Sequence, residues 1–133
     1  MPEAVITIAV AVVVHEGHVL VGRRSCHALE AAGLDEFPGG KTEAGETVAE
    51  AAARECLEET GIAVRIANRS FGVALTRQRP QMLIIFHWAT PIDPATRPTP
   101  PFAWIPIGQL AELNFPEANA AVLALLQQDQ GGS

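Results

Sequence analysis

Cysteine is scarce in this 133-residue chain, with Cys26 and Cys56 the whole complement. Two thiols are too few for a disulfide framework and read as reduced cysteines of an intracellular protein. Basic residues are scarce as well. Nine Lys and Arg stand against fifteen Asp and Glu, a net charge of −6, with no basic tail or stripe. That excludes duplex nucleic acid as the main partner, because phosphate contacts need clustered cations. Long apolar runs are also missing. The stretch from Ala4 to Val14 is too short to span a bilayer. It lacks the positive flank of a secretory leader, since Glu3 is the only charge before it. The expectation is a cytoplasmic protein with no membrane partner. No internal repeat marks a second domain, so residues 1–130 read as one domain, with 131–133 a flexible tail.

What the chain has is a core and a concentration of acid. Hydrophobic residues make up 48% of it, enough for an ordinary globular interior. The run from Gly40 to Ile62 carries Glu43, Glu46, Glu50, Glu55, Glu58 and Glu59, six of the fifteen acidic residues. Thr47 followed by Glu50 is a capping-box pattern, which satisfies two backbone donors at a helix start. Val48 to Leu57 is built of good helix formers, and Gly61 supplies a stop. A helix is expected from about Thr47 to Thr60. At about 100° per residue, Glu55, Glu58 and Glu59 fall on one arc, and Ala49, Ala53 and Cys56 fall on another that can pack on a core. Arg54 lies one turn from both Glu50 and Glu58 and can pair with either. A carboxylate cluster of this kind suits hard divalent cations such as Mg²⁺ or Mn²⁺. The plainer alternative is a solvated acidic face. An acidic protein that handles phosphates needs metal ions to bridge them, which fits this helix.

Around the helix the chain alternates between strand and turn signals. Ala4–Val14 reads as a buried strand, and Val19–Arg23 returns after a turn at Glu16-Gly17-His18. His15 and His18 read as solvated turn residues. Arg23 and Arg24 follow the second strand, as surface charges or as phosphate contacts. Ser25–Asp35 reads as loop. Glu36-Phe37-Pro38-Gly39-Gly40-Lys41 leads to the helix, with glycines that let a backbone come close. Phe37 fits either a core position or one wall of a base-stacking pocket. Strands are expected at Ala63–Asn68, Phe71–Leu75, Met82–Ala89 and Phe102–Ile105. A proline-rich loop lies over Pro91–Pro101, and a helical turn over Ile107–Leu113. A last helix covers Ala120–Gln128, with Pro116 in its first turn and Val122, Leu123, Leu125 and Leu126 on its apolar side. Asn119 presents donor and acceptor side by side, suited to an oxopurine edge, or else bonds the local backbone at a helix start.

The spacing from Gly40 resembles the Nudix box: a glycine, an acid six residues on at Glu46, then Arg54-Glu55-Cys56-Leu57-Glu58-Glu59-Thr60-Gly61-Ile62. Cys56 is the one soft departure, standing where the family usually has an aliphatic residue; buried cysteine behaves as a small hydrophobe. Arg23-Arg24, Glu36–Lys41, Trp104 and Phe115-Pro116-Glu117-Ala118-Asn119 resemble the MutT-type nucleoside triphosphate pyrophosphohydrolases, so the resemblance covers nearly the whole chain. It implies an α/β fold, the Nudix α/β/α sandwich with a mixed sheet between helices. It implies Mg²⁺ or Mn²⁺ on Glu55, Glu58, Glu59 and the Gly40 backbone. Catalysis would fall to Glu55, Glu58 and Arg54, and substrate binding to Arg23, Arg24, Phe37, Gly39 and Asn119. The implied reaction cuts a (d)NTP, such as 8-oxo-dGTP, to a monophosphate and pyrophosphate, in a monomer or homodimer acting on small-molecule nucleotides. ADP-ribose, CTP or a dinucleoside polyphosphate are the alternative substrates, and a non-catalytic nucleotide sensor the alternative of another class. One departure touches the general base. MutT-type enzymes often carry an acid in the loop before the late tryptophan, whereas here the loop's only acid, Asp93, is far from Trp104 in sequence.

Overall fold

The computed structural model describes residues 5–23, 33–77 and 80–131. Seven strands, β1 (Ile6–His15), β2 (His18–Arg23), β3 (Asp35–Glu36), β4 (Gly39–Lys41), β5 (Val64–Leu75), β6 (Met82–Pro91) and β7 (Ala103–Pro106), form one mixed sheet. The main order is β3-β2-β1-β6-β5, with β4 alongside β1 and β7 alongside β2. β1 and β6 run parallel, from Ile6 opposite Met82 to Val13 opposite Ala89, and the remaining pairs are antiparallel. Two longer helices, α1 (Val48–Thr60) and α2 (Ala120–Gly131), complete an α/β fold.

β1 shows why its sequence does not alternate. Val10 and Val12 pack with Val122 and Leu126 of α2, whereas Ala9, Ala11 and Val13 pack with Ala51, Ala52 and Cys56 of α1. A strand covered on both faces needs apolar residues at every position. It turns back through Glu16 and Gly17, both at positive φ (46° and 77°). That conformation matches the twist of the two strands it joins. His15 and His18 stay at this turn, each in contact with Glu16.

α1 starts and stops as its sequence predicts. The Thr47 side chain accepts from Glu50 N, the Glu50 side chain accepts from Thr47 N, and Gly61 ends the helix at φ 76° with its N–H on the Leu57 carbonyl. Its buried stripe is Ala51, Ala52, Cys56 and Thr60, with Val48 and Ala53 at the margin. Ala49 is only half-buried and does not join it, because the stripe runs along Ala52, Cys56 and Thr60 at four-residue spacing.

Other boundaries differ from the expectation for local reasons. β5 is a single strand with two register shifts against β6, so the break expected near residues 69–70 is absorbed inside the ladder. β3 and β4 are two and three residues long, too short to carry a period. Pro116 precedes a single 3₁₀ turn, Glu117–Asn119, and α2 follows at Ala120. Within α2, Val122 and Leu126 are buried, but Leu125 is 40% exposed. Gly131, expected in the tail, closes that helix. Ile107–Glu112 is the expected helical turn, in 3₁₀ form. Among the described residues, no helix is long and apolar enough to cross a membrane.

Candidate active site

One guanidinium organises the acidic helix. Arg54 donates from Nε to Glu46 at 2.6 Å and from Nη2 to Glu46 at 3.1 Å. Nη1 reaches Glu55 at 2.9 Å and Glu58 at 3.2 Å, and Glu43 stands 3.7 Å away. Nη2 also donates to the Lys41 carbonyl at 3.1 Å, tying the helix to β4. The planar fork is what allows one cation to serve several carboxylates, which a lysine ammonium does not match. The Arg54 pKa is raised, first by its hydrogen bond to Glu46, and the same bond lowers the Glu46 pKa. Of the two helix partners expected, Arg54 takes Glu58 and not Glu50, which is committed to the capping box. Glu46, in the loop before α1, takes its place. Helical spacing finds neighbours on one helix and is blind to a partner from the preceding loop.

The glycine loop comes down on this cluster. Gly39 donates its N–H to Glu59 at 3.0 Å. A Cβ on Gly40 would lie 2.5 Å from the Glu55 carboxylate, and one on Gly39 would strike the Ala9 carbonyl oxygen. Backbone at Gly39 leaves no space for a side chain, whereas at Gly40 a side chain would have to displace the Glu55 carboxylate. Glu55, Glu58 and Glu59 share one side of α1 as the 100° arc predicts, but they do not close into a common cage. Among the described residues, no three His, Cys, Asp or Glu side chains stand close enough to hold a metal ion. Glu55 and Glu58 face Arg54, and Glu59 accepts from the Gly39 amide. The donor types nonetheless fit a hard divalent cation, since carboxylate and backbone carbonyl oxygens are hard ligands, and the bare Gly40 backbone leaves the Glu55 oxygens room.

The same loop continues onto the other face of the sheet. Phe37 is 6% exposed, packed with the α2-side core, and stacked on Phe115 with centroids 4.8 Å apart and planes 29° from parallel. Phe37 takes the core position, and Phe115, half-buried, is the ring of the pair that reaches the surface. Arg23, 59% exposed, reaches the buried Asp35 at 3.3 Å. Asn119 sits in the 3₁₀ turn after Phe115 and donates from Nδ2 to the Pro116 carbonyl at 3.4 Å, the local-backbone role weighed for it. Arg24 lies outside the described residues, as does most of the Ser25–Asp35 loop. Asp93 accepts from Ala95 N at 3.0 Å inside its own turn. Glu46, Asp35 and Phe115 are participants that the sequence reading did not single out as site residues. Glu46 carried a signal, as the acid six residues after Gly40.

An open groove of about 510 Å³ lies elsewhere, between Val14, Trp88 and the Arg65–Asn68 run. It shares no residue with the carboxylate cluster.

Comparison with known proteins bears on this arrangement. The NUDIX domain profile matches residues 5–126. The 8-oxo-dGTP diphosphatase of Escherichia coli (strain K12) is 33% identical over 126 residues, covering 91% of this chain and 95% of that protein. A MutT structure from Aliivibrio salmonicida or Vibrio cholerae superposes with a TM-score of 0.69 at 28% identity, covering 92% of this chain and 97% of the other. A MutT protein from Methanosarcina mazei Go1 gives a TM-score of 0.78 at 20% identity, over 98% of each chain, a likeness of fold.

Proposed function

We propose a substrate and a division of labour for this chain, which belongs to the Nudix family and is a MutT-type Nudix hydrolase. The substrate is a nucleoside triphosphate, with 8-oxo-dGTP the foremost candidate, cut to the monophosphate and pyrophosphate. One observation carries this reading. The run Glu36–Gly40 has its glycine end on the α1 carboxylates, through the Gly39–Glu59 bond, and its aromatic end in the Phe37–Phe115 stack. A molecule with a polyphosphate at one end and a flat base at the other matches such a run. The 33% identity to a protein named 8-oxo-dGTP diphosphatase, over 95% of its length, points the same way.

Glu55, Glu58, Glu59 and the Gly40 backbone would hold Mg²⁺ or Mn²⁺. When bound, such an ion neutralises the polyphosphate and makes hydroxide available near neutral pH. Everything else falls to the chain's own groups. Glu55 or Glu58 accepts the proton of the attacking water. Water attacks a phosphorus of the polyphosphate, the P–O–P link breaks, and pyrophosphate leaves. Arg54 holds the carboxylates in place through its bonds to Glu46, Glu55 and Glu58. Arg23 and Arg24 donate to phosphate oxygens. Asn119 meets the base edge, next to the aromatic wall. With Asp93 bound into its own turn, the helix carboxylates carry the proton transfer alone.

The test is pyrophosphate and phosphate release over a panel of canonical (d)NTPs, 8-oxo-dGTP, ADP-ribose, CTP and a dinucleoside polyphosphate, with Mg²⁺ and with EDTA. The expected result is metal-dependent pyrophosphate release, strongest with 8-oxo-dGTP. Preference for ADP-ribose, CTP or the dinucleoside polyphosphate would keep the carboxylate centre and discard the base assignment. Silence across the panel from folded protein would favour a nucleotide sensor. The same role places the chain in the cytoplasm, in sanitation of the nucleotide pool.

A further inference from the structure

We propose that Asp35 is a positioning residue, a buried latch that sets the Asn114–Asn119 segment against Phe37 and holds Arg23 at the same time. The proposal deepens the reading of the base end given above and rests on it.

Asp35 is 4% exposed, at the start of β3 and opposite Arg23 of β2. A carboxylate that deep needs its oxygens paired. Oδ2 accepts the Asn114 backbone N–H at 2.8 Å, and the Asp35 N–H donates to the Asn114 carbonyl at 3.1 Å. These two bonds join segments 79 residues apart in sequence. Arg23 closes the other side, with Nε to Oδ1 at 3.3 Å and Nη2 to Oδ2 at 3.4 Å.

What the latch fixes follows directly along both segments. Two residues after Asp35 is Phe37, one residue after Asn114 is Phe115, and these two rings form the 4.8 Å stack. Pro116 comes next, and its carbonyl holds the Asn119 side chain. A single carboxylate therefore sets the position of the aromatic wall, the amide proposed to meet the base, and a guanidinium proposed to meet phosphate. No hydroxyl or amide side chain serves equally well. Facing Asn114 N–H on one side and the Arg23 fork on the other, the group must accept in both directions, and only a carboxylate is acceptor-only.

That chemistry separates the two arms. In Asp35→Asn the side-chain oxygen at the Oδ2 position still accepts from Asn114 and Arg23 Nη2, while the NH₂ at the Oδ1 position opposes Arg23 Nε. In Asp35→Ala both side-chain arms are lost, and only the backbone bond from Asp35 N–H to the Asn114 carbonyl remains. Steady-state kinetics on the preferred and on non-preferred triphosphates, at a temperature where circular dichroism shows each variant folded, should give the following. For Asp35→Asn, KM rises by roughly threefold to tenfold, kcat stays within about twofold, and base preference is kept. For Asp35→Ala, KM rises further, and the kcat/KM advantage of the preferred base falls by about tenfold. Backbone amide exchange followed by NMR reads the latch without any substrate. The Asn114 amide should exchange at least about tenfold faster in Asp35→Ala and at the wild-type rate in Asp35→Asn. A uniform fall in kcat with KM and base preference unchanged would overturn the positioning role, as would unaltered Asn114 exchange in Asp35→Ala. If the wild-type enzyme is silent on triphosphates, the substrate reading fails, and the exchange rates decide the latch independently.

Discussion

On the α1 face one arginine serves four acids; on the α2 face one acid serves an arginine and a backbone amide. The first arrangement is open. Glu58 is 57% exposed and Glu43 69%, and the Arg54 side chain retains 23% exposure. Water reaches the cluster, so its partners can exchange at modest cost. The second is closed. Asp35 has 6% side-chain exposure, and the Phe37 ring beside it is buried under Phe115. The bond from Asn114 N–H to Asp35 is fixed there, because leaving the buried carboxylate unpaired costs its full desolvation, while Arg23 on the outer side is 59% exposed. The difference teaches where each property of the enzyme resides. On the proposed reading, charge that must rearrange around a polyphosphate belongs on the wet face, and shape that must select a base belongs on the dry one.

The comparison breaks most severely at Glu59. Glu59→Gln keeps an oxygen for the Gly39 amide but loses the carboxylate charge, so the chain should stay folded while turnover falls by about 10²- to 10³-fold. Pyrophosphate release and circular dichroism check the two halves of that statement. Near-wild-type turnover would remove Glu59 from the metal site.

Gly40→Ala comes next. Its Cβ would press on the Glu55 carboxylate, the far end of a side chain that can move aside. Activity should fall about tenfold to a hundredfold, with a loss of stability of about 1–3 kcal/mol at most. Gly39→Ala is its contrast, because the atom it strikes is the backbone oxygen of Ala9. There a thermal melt should show the larger fall in stability of the two.

Phe115→Ala acts on the dry face. It removes the cover from Phe37 and should raise KM by about tenfold while kcat stays within about twofold, read from initial rates over a range of nucleotide concentration.

The smallest effect is expected at His87, in the middle of β6. Both of its ring nitrogens are buried without a hydrogen-bond partner among the described residues. Burial lowers its pKa below the ordinary 6.5. Between that lowered value and 6.5 the unfolded chain binds more protons than the folded one, so stability falls as pH falls through this window. Melting temperatures measured from pH 7.5 downwards should show the decline beginning near pH 6.5, and His87→Leu should flatten it. An unchanged slope would mean that His87 is not the group responsible.

The two faces were not equally legible in the sequence. α1, its capping box and its Gly61 stop could be read residue by residue, because each is set by neighbours within a turn. The carboxylates could be placed on one side of the helix for the same reason. Helical spacing offers Arg54 both Glu50 and Glu58 and is silent on Glu46, because that contact arises only when the preceding loop folds back. Phe37 fitted core and base wall equally on paper, and burial under Phe115 separates the two. Asp35 carried no signal at all. Its role exists only through Asn114, and no local pattern reports a hydrogen bond between segments that meet by the packing of the C-terminal run onto β3.

The most direct test of this division of labour is kcat and KM measured side by side for Glu59→Gln and Phe115→Ala on the preferred nucleotide. Glu59→Gln should lose kcat by about 10²-fold or more, whereas Phe115→Ala should raise KM with kcat nearly intact. A fall in kcat for both, or a KM effect confined to Glu59→Gln, would contradict it.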